Sequence, residues 1–415
     1  MDSNKTTTTV GVALIFLIFV GWFYMMNQQQ AKYAKLHPTP AHDSAATSAP
    51  SSAPSATPAA GSAASAAPSG SVASDSVARG GLFRSAVGMP VVTKTVETPL
   101  FTATISSTGG SITSFVLHHY KTWEQKQLDL IDGADRRGGD INLRFVANDG
   151  KQVSTSELPF VLDPKPITLG AGDSVAFAAV YHLDSSRAIT KLFRFSGAGY
   201  LIGVEYQLTG MQEVVSGYHY TASLDAPLPF LERRSQDEST NAKAFAGFAG
   251  DMEELTVTKA GEATHKPING EITFAGMRTQ YFEKAMIPNG LKAIGAELSG
   301  LAIPARDGGV QSKYAAGVNI PIGHTASEKL PFNLYFGPLE YERVSALGVG
   351  LEQSMNFGWS FLVRPISIHL MMPLFMWLHG FIPNWGVVII VFSILIKLLT
   401  IPLSTGQMRS MRKMQ

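Results

Sequence analysis

Residues 384–403 read NWGVVIIVFSILIKLLTIPL, and no other stretch narrows the possible folds as far. From Val387 to Ile396 the one polar side chain is Ser393. A helix carrying that run has almost no polar face to give to water, so it belongs in a bilayer. Lys397, inside the run, tests the assignment. About a dozen apolar residues contribute roughly −0.3 to −0.6 kcal/mol each to insertion, against about +2.5 to +3.5 kcal/mol for a central Lys. The apolar sum is larger, and a transmembrane helix over 384–403 is expected to insert with its charge.

Spacing orients that charge. Ser393, Lys397, Thr400 and Ser404 recur at helical intervals and share one face. Hydrocarbon offers such a stripe no hydrogen-bond partner, so it is expected to face protein or a water-filled groove. The competing reading puts Lys397 near the helix end, snorkelling to the headgroups. Pro402 lacks the N–H that would satisfy the Leu398 carbonyl, which predicts a bend.

A second apolar segment, Val10–Met26, carries no charge and ends in Trp22, Phe23 and Tyr24. It is long enough to cross a bilayer, with its aromatic residues at an interface. A signal peptide would need a small-x-small cleavage site, whereas Asn27, Gln28, Gln29 and Gln30 follow, so a retained anchor is expected. Arg409, Arg412 and Lys413 follow the second span with no acidic residue, which places that side and therefore residues 1–9 in the cytoplasm. Everything between the two spans is then outside. The net charge of +1 provides no basic stripe for nucleic acid, and zero Cys excludes disulfides and thiol chemistry.

Between the spans the character changes twice. Residues 27–90 are dominated by Ala, Ser and Pro and read as a disordered linker. A coil of that kind spans roughly 35–40 Å root-mean-square over its low-complexity part. Residues 91–342 carry short alternating runs and turn residues. Thr98–Ile105 leads into Thr108-Gly109-Gly110 and resumes at Ser111–Leu117, and Tyr200, Ile202, Val204, Tyr206 and Leu208 recur at period two. Further strands are expected at Glu271–Phe274, Lys313–Asn319 and Phe332–Phe336. Strands without helical periodicity predict one large antiparallel β-sandwich. Over 343–383 the pattern turns helical, first across Glu340–Gln353. Arg364, His369, His379, Pro365 and Pro373 then interrupt an aromatic, Met-rich segment expected to lie along the outer membrane face, the rival being a helix packed on the sandwich.

Other constellations read as structure. His118 and His119 are adjacent on a strand and leave opposite faces; His182 and His219 have no neighbour at ligand spacing. Asp132-Gly133-Ala134-Asp135 lacks the alternating ligands and closing Glu of a calcium loop. Asp251, Glu253 and Glu254 read as a solvated acidic loop. Ser410 and Lys413 have serine–lysine acylase spacing, but a basic tail explains them. No catalytic, metal or cofactor site is expected.

Asn384-Trp385-Gly386, the apolar run, Lys397, Pro402-Leu403 and Ser410-Met411-Arg412-Lys413-Met414 together resemble the YidC-type membrane protein insertases. Gln280-Tyr281-Phe282, Ile287-Pro288 and Leu334-Tyr335-Phe336-Gly337-Pro338 resemble short motifs of the periplasmic domain of that family's Gram-negative members. The resemblance implies a β-supersandwich between two transmembrane helices and a multi-pass protein of the bacterial inner membrane. It implies that Lys397, Ser393, Thr400 and Ser404 line a substrate groove, with Lys397 where the family usually carries Arg. Asn384, Trp385 and Gly386 become the interfacial anchor and helix start, and Pro402 the helix bend. The implied partners are nascent membrane-protein substrates, the Sec translocon, ribosome–nascent chain complexes and membrane lipids, with no nucleic acid bound directly. Residues 404–415 match the start of a cytoplasmic hairpin, so the chain is expected to supply one wall of the groove and to be a partial protein that inserts nothing alone. The rival from another class is a membrane-anchored carbohydrate-binding or carbohydrate-modifying sandwich, which would need paired carboxylates or a carboxylate with a His.

Overall fold

The computed structural model describes residues 82–131, 139–248, 250–355, 367 and 371–397 of the chain. The expected first span at 10–26, most of the linker, Asp132–Asp135, and Thr400, Pro402 and Ser404 lie outside the described residues.

Alternation builds the strands. In β10 (Leu201–Thr209), Ile202, Val204, Tyr206 and Leu208 are buried at every second position, as their spacing predicts. β10 sits within an eight-stranded sheet, paired with β9 (Ala188–Ser196) and β19 (Ser327–Pro338). Outside β9 lies the edge strand β8 (Ser174–His182). Beyond β19 come β16 (Phe282–Pro288), β15 (Ile272–Arg278), β12 (Lys243–Phe248) and the other edge, β13 (Asp251–Leu255). A six-stranded sheet runs β14 (Ala263–Asn269), β17 (Gly295–Pro304), β18 (Val310–Pro321), β11 (Val215–Leu224), β5 (Asn142–Ala147) and β6 (Gln152–Ser154). A five-stranded sheet runs β4 (Gln127–Asp129), β3 (Ser111–Lys121), β2 (Phe101–Ser106), β1 (Thr93–Glu97) and β7 (Ile167–Thr168). Among the described residues all pairings between these strands are antiparallel except that of β1 with the two-residue β7. The antiparallel sandwich expected from the sequence is therefore the fold.

Three details differ from the sequence reading. Thr98 does not open a strand: its hydroxyl accepts from the N–H of Phe101 at 3.0 Å and closes the turn between β1 and β2. Asp251, Glu253 and Glu254 lie on strand β13, where Glu254 accepts from the Lys243 ammonium at 2.7 Å and Glu253 from Lys266 at 2.5 Å. The helix expected over Glu340–Gln353 is broken into α2 (Tyr341–Ser345), which follows the earlier α1 (Ser235–Asn241), and a 3₁₀ turn at Leu351–Ser354. Gly348 and Gly350 take φ of +69° and +84° between them, a conformation that ends helices.

One apolar core joins the three sheets. Phe101 of β2 lies 6.3 Å from Phe195 of β9, and Phe115 of β3 meets Phe336 of β19 edge to face at 5.5 Å. Two buried lysines cross that core. The Lys191 ammonium, from β9, donates to the carbonyls of Gly109 at 2.6 Å and Ile141 at 2.8 Å. Lys284, from β16, pairs with Asp140 at 2.6 Å, both side chains fully buried, and also donates to the Ala226 carbonyl. Desolvation pushes the Asp140 carboxyl up despite the neighbouring ammonium, so the pair survives only through its full set of hydrogen bonds.

Removing one partner leaves the other charge buried. Lys284→Ala is expected to lose about 3–5 kcal/mol of unfolding free energy in denaturant titration, against a much smaller loss when both residues are replaced by apolar ones of similar volume. Burial pushes Lys191 down from 10.5 to about 7. Between about pH 7 and 10 the unfolded chain then holds a proton at this site that the folded chain has lost, so stability rises with pH. Wild type should gain on Lys191→Met across that window, and unfolding curves at the two ends measure the gain.

Candidate functional site

The described part of the predicted groove helix belongs to a two-helix unit. α3 (Met372–Phe381) carries Pro373 in its first turn, the position of an α-helix that tolerates proline best. Met371, just before α3, is already in helical geometry, with φ −70° and ψ −50°, so Pro373 marks the change to regular α-helix and not the first helical residue. α3 is followed by α4, helical from 385 to 397. The junction is built by Asn384, whose side-chain oxygen accepts from the N–H of Gly386 at 2.8 Å and, more weakly, of Val387 at 3.4 Å. This satisfies orphan donors of the first turn. A Cβ at position 386 would stand 3.1 Å from that oxygen, so a larger residue there would push the cap aside by a few tenths of an ångström. Trp385 stacks on His379 of α3 at 3.9 Å, and the His379 Nδ1 lies 3.1 Å from the Ile382 carbonyl. The three residues that resemble an anchor motif thus act locally as cap, close approach and stacking partner.

The two helices bury Leu378 against Val388 and Phe392, with Phe375 stacked on Phe392 at 4.3 Å. Val391 and Ile396 pack half-buried against that cluster, while Val387, Ile389, Ile390, Ile394 and Leu395 are exposed, as are Met376, Trp377 and Phe381 of α3. A contiguous apolar surface of that kind marks contact with a membrane or with another apolar body. Ser393 and Lys397 lie on this exposed side of α4, one turn apart and away from the face that meets α3. The Ser393 hydroxyl donates to the Ile389 carbonyl at 2.8 Å, so its proton is held within the helix. Of the predicted stripe the structure brings Ser393 and Lys397 together; Thr400 and Ser404, with the bend at Pro402, lie outside the described residues. Among the described residues no helix is long and apolar enough to cross a membrane.

The sequence reading missed what fastens the chain after the last strand to the sandwich. Glu340 accepts from the Tyr120 hydroxyl of β3 at 2.6 Å and pairs with Arg343 of α2. Burial, reinforced by the bond to Glu340, pushes the Tyr120 hydroxyl up. Farther along, Ser354 donates to the buried Glu283 carboxyl of β16 at 2.6 Å, and burial raises that carboxyl to about 8, so it is neutral at pH 7. Beside them a cleft of about 580 Å³ opens, lined by Glu340, Arg343, Met371, Met372, Phe375 and Trp385 among others. Nothing in local sequence links residues 340–343 to residues 371–385.

No group of three His, Asp or Glu at metal-binding distance occurs among the described residues. His118 is held by Thr102, 2.8 Å from its Nε2, in keeping with a structural role.

A model of the YidC periplasmic domain matches residues 93–368. A membrane protein insertase YidC of Chlorobium limicola is 33% identical over 422 residues, covering 100% of this chain and 67% of the relative. One from Pelodictyon phaeoclathratiforme is 31% identical over 428 residues, again covering 100% of this chain and 67% of the relative. The chain thus spans about two thirds of these relatives' length. Among solved structures, a galactose mutarotase-like protein from Lactobacillus casei superposes with a TM-score of 0.36 at 13% identity, covering 59% of this chain and 99% of its own. An α-N-acetylgalactosaminidase from Bifidobacterium bifidum gives 0.39 at 10%, covering 63% of this chain and 39% of its own. Likeness at that level carries no argument about ligand or activity.

The cap is open to a direct test. Asn384→Ala removes the acceptor and should cost about 1 kcal/mol, seen as roughly fivefold faster hydrogen exchange at Gly386 and Val387, while Asn384→Asp keeps the protection.

Proposed function

The chain belongs to the YidC family, and from that premise we propose that it is the amino-terminal part of an insertase that helps nascent proteins enter and fold in the bacterial inner membrane. The observation that carries the reading is the outer side of α4, where exposed isoleucines and leucine flank a face bearing Ser393 and Lys397. Apolar side chains beside a cationic stripe suit a helix with lipid on one side and a wet groove on the other.

The mechanism is a partition and breaks no covalent bond. Lys397, with Ser393, Thr400 and Ser404, lines the groove and attracts acidic residues in the short exported part of a substrate. The attraction exceeds that in bulk water because the local dielectric is lower. The apolar body of the substrate then moves into lipid, favoured by roughly 25 cal/mol for each Å² of apolar surface removed from water. An Arg at this place would add a planar fork of donors, so Lys397 acts as a point charge and not as a bidentate clamp. Residues 10–26 anchor the amino-terminal side, both ends of the chain face the cytoplasm, and the sandwich stands in the periplasm. Trp377, Phe381 and Trp385 rest at the outer interface, where amphipathic rings are favoured. The Sec translocon, ribosome–nascent chain complexes and membrane lipids are the partners of this arrangement.

The test uses the whole protein that carries this chain, reconstituted in lipid vesicles. Lys397→Arg should keep insertion of substrates with acidic exported tails, while Lys397→Ala should lower it about fivefold or more, the size of a 1 kcal/mol loss. Full insertion by Lys397→Ala across several such substrates would remove the electrostatic role. Photo-crosslinks from positions beside 397 to a stalled nascent chain test the groove itself.

A further inference from the structure

Sheet edges are where a β protein lies open to other chains, and natural sequences blunt them with short strands, charges, Pro or bulges. The three sheets have six edge strands, and five carry such a device among the described residues. β4 and β6 have 3 residues each and β7 has 2. β13 carries Asp251, Glu253 and Glu254. β14 carries Lys266 and Pro267. The sixth edge, β8, reads SVAFAAVYH over 9 residues, with no Pro and no Lys, Arg, Asp or Glu. It pairs with β9 from Ser174 to His182 without a break in register.

Hydrogen bonds show which groups of β8 point outward. Val180 donates to the Val161 carbonyl at 3.0 Å and accepts from the Val161 N–H at 2.7 Å, on the side away from β9. In an antiparallel ladder that outward position recurs at every second residue, so Ala178, Ala176 and Ser174 also present their N–H and C=O outward. All three side chains are small and exposed. Between them Phe177 stacks on Phe193 at 5.4 Å and on Phe195 at 5.9 Å, with the Lys94 ammonium 5.1 Å from its ring centre. The edge is therefore anchored to the sheet by its alternate residues, and an anchored template loses little entropy when a strand docks.

We infer that Ser174–Ala178 of β8 is a strand-addition site for an extended, uncharged, apolar polypeptide segment, such as the part of a membrane-protein substrate that has crossed to the periplasmic side. This rests on the insertase reading. β8 offers no charged side chain to an acidic or basic partner, so main-chain bonds and small apolar contacts must supply the affinity. Val161 already occupies the place opposite Val180, and among the described residues no backbone group bonds the outward side of Ser174–Ala178, an edge about 17 Å long. A peptide segment fills that length. A second copy in antiparallel register would reach it only by driving each Val161 segment against the other's Gly170–Asp173 turn.

The experiment uses the whole protein in lipid nanodiscs and a fluorescein-labelled heptapeptide of alternating threonine and valine, with a central-proline version as control. Fluorescence anisotropy should show saturable binding of the first peptide and not of the second. Ala176→Pro removes an N–H that takes no part in the β9 ladder, and Ala178→Lys adds an edge charge. Each should weaken binding about tenfold or more, with the thermal unfolding midpoint unchanged. Unchanged binding in both variants, or no saturable binding by wild type, overturns the site. A dimer of the free protein that Ala176→Pro abolishes also overturns it, in favour of a second copy. Insertion by the same preparation is measured separately: probe binding without insertion sinks the parent reading and leaves the edge site standing, whereas insertion without probe binding does the reverse.

Discussion

Asp140 is the residue on which the three sheets depend together. Its backbone exchanges hydrogen bonds with Ile112 of β3, its carboxylate accepts from the Ala226 N–H just beyond β11, and the same carboxylate holds the Lys284 ammonium of β16. The five-, six- and eight-stranded sheets therefore meet at one buried residue. The next residue, Ile141, takes a φ of +71°, an unfavourable conformation for a β-branched side chain, and its carbonyl is bound by Lys191 of β9. Two buried lysines on either side hold the chain in a geometry it would otherwise leave. Hydrophobic area supplies most of the driving force, but these few polar bonds select the arrangement in which the sheets stack.

A second, smaller set of polar contacts fastens the chain beyond the last strand to the sandwich. Tyr120 and Arg343 converge on Glu340 where the last strand ends, and the neutral Glu283 carboxyl engages Ser354 some ten residues later. Between these two fixed points Gly348 and Gly350 turn the chain. The linker is thus fastened at intervals in place of being one continuous helix.

Much of this was legible from periodicity. Ile202, Val204, Tyr206 and Leu208 announced β10, and the Gly109-Gly110 pair announced the hairpin between β2 and β3, because a single buried face leaves a period-two trace. The acidic run at 251–254 was misread because its neutralising partners, Lys243 and Lys266, lie on other strands and are close only in the folded chain. The helical pattern over Glu340–Gln353 overrode two glycines that needed positive φ. Within the candidate site, Asn384, Trp385 and Gly386 stood out as a motif, but their chemistry did not. A cap requires the backbone geometry, and the stacking of Trp385 on His379 requires α3 to fold back. The cleft below Glu340 had no signal in the sequence, since its two walls come from separate stretches.

The cap at Asn384 has a consequence for depth. It fixes the register at which α4 starts, and a helix rises about 1.5 Å per residue, so Trp385 and Lys397 are separated by roughly 18 Å along the axis. With Trp385 at the outer headgroup level of a hydrocarbon layer about 30 Å thick, an upright helix would carry the ammonium just past the midplane, towards the inner leaflet. In the proposed arrangement the tryptophan and its cap would work as a depth gauge. Inserting or deleting one residue between them would shift the charge by about 1.5 Å and swing it about 100° around the axis, so altitude and azimuth cannot be tuned separately.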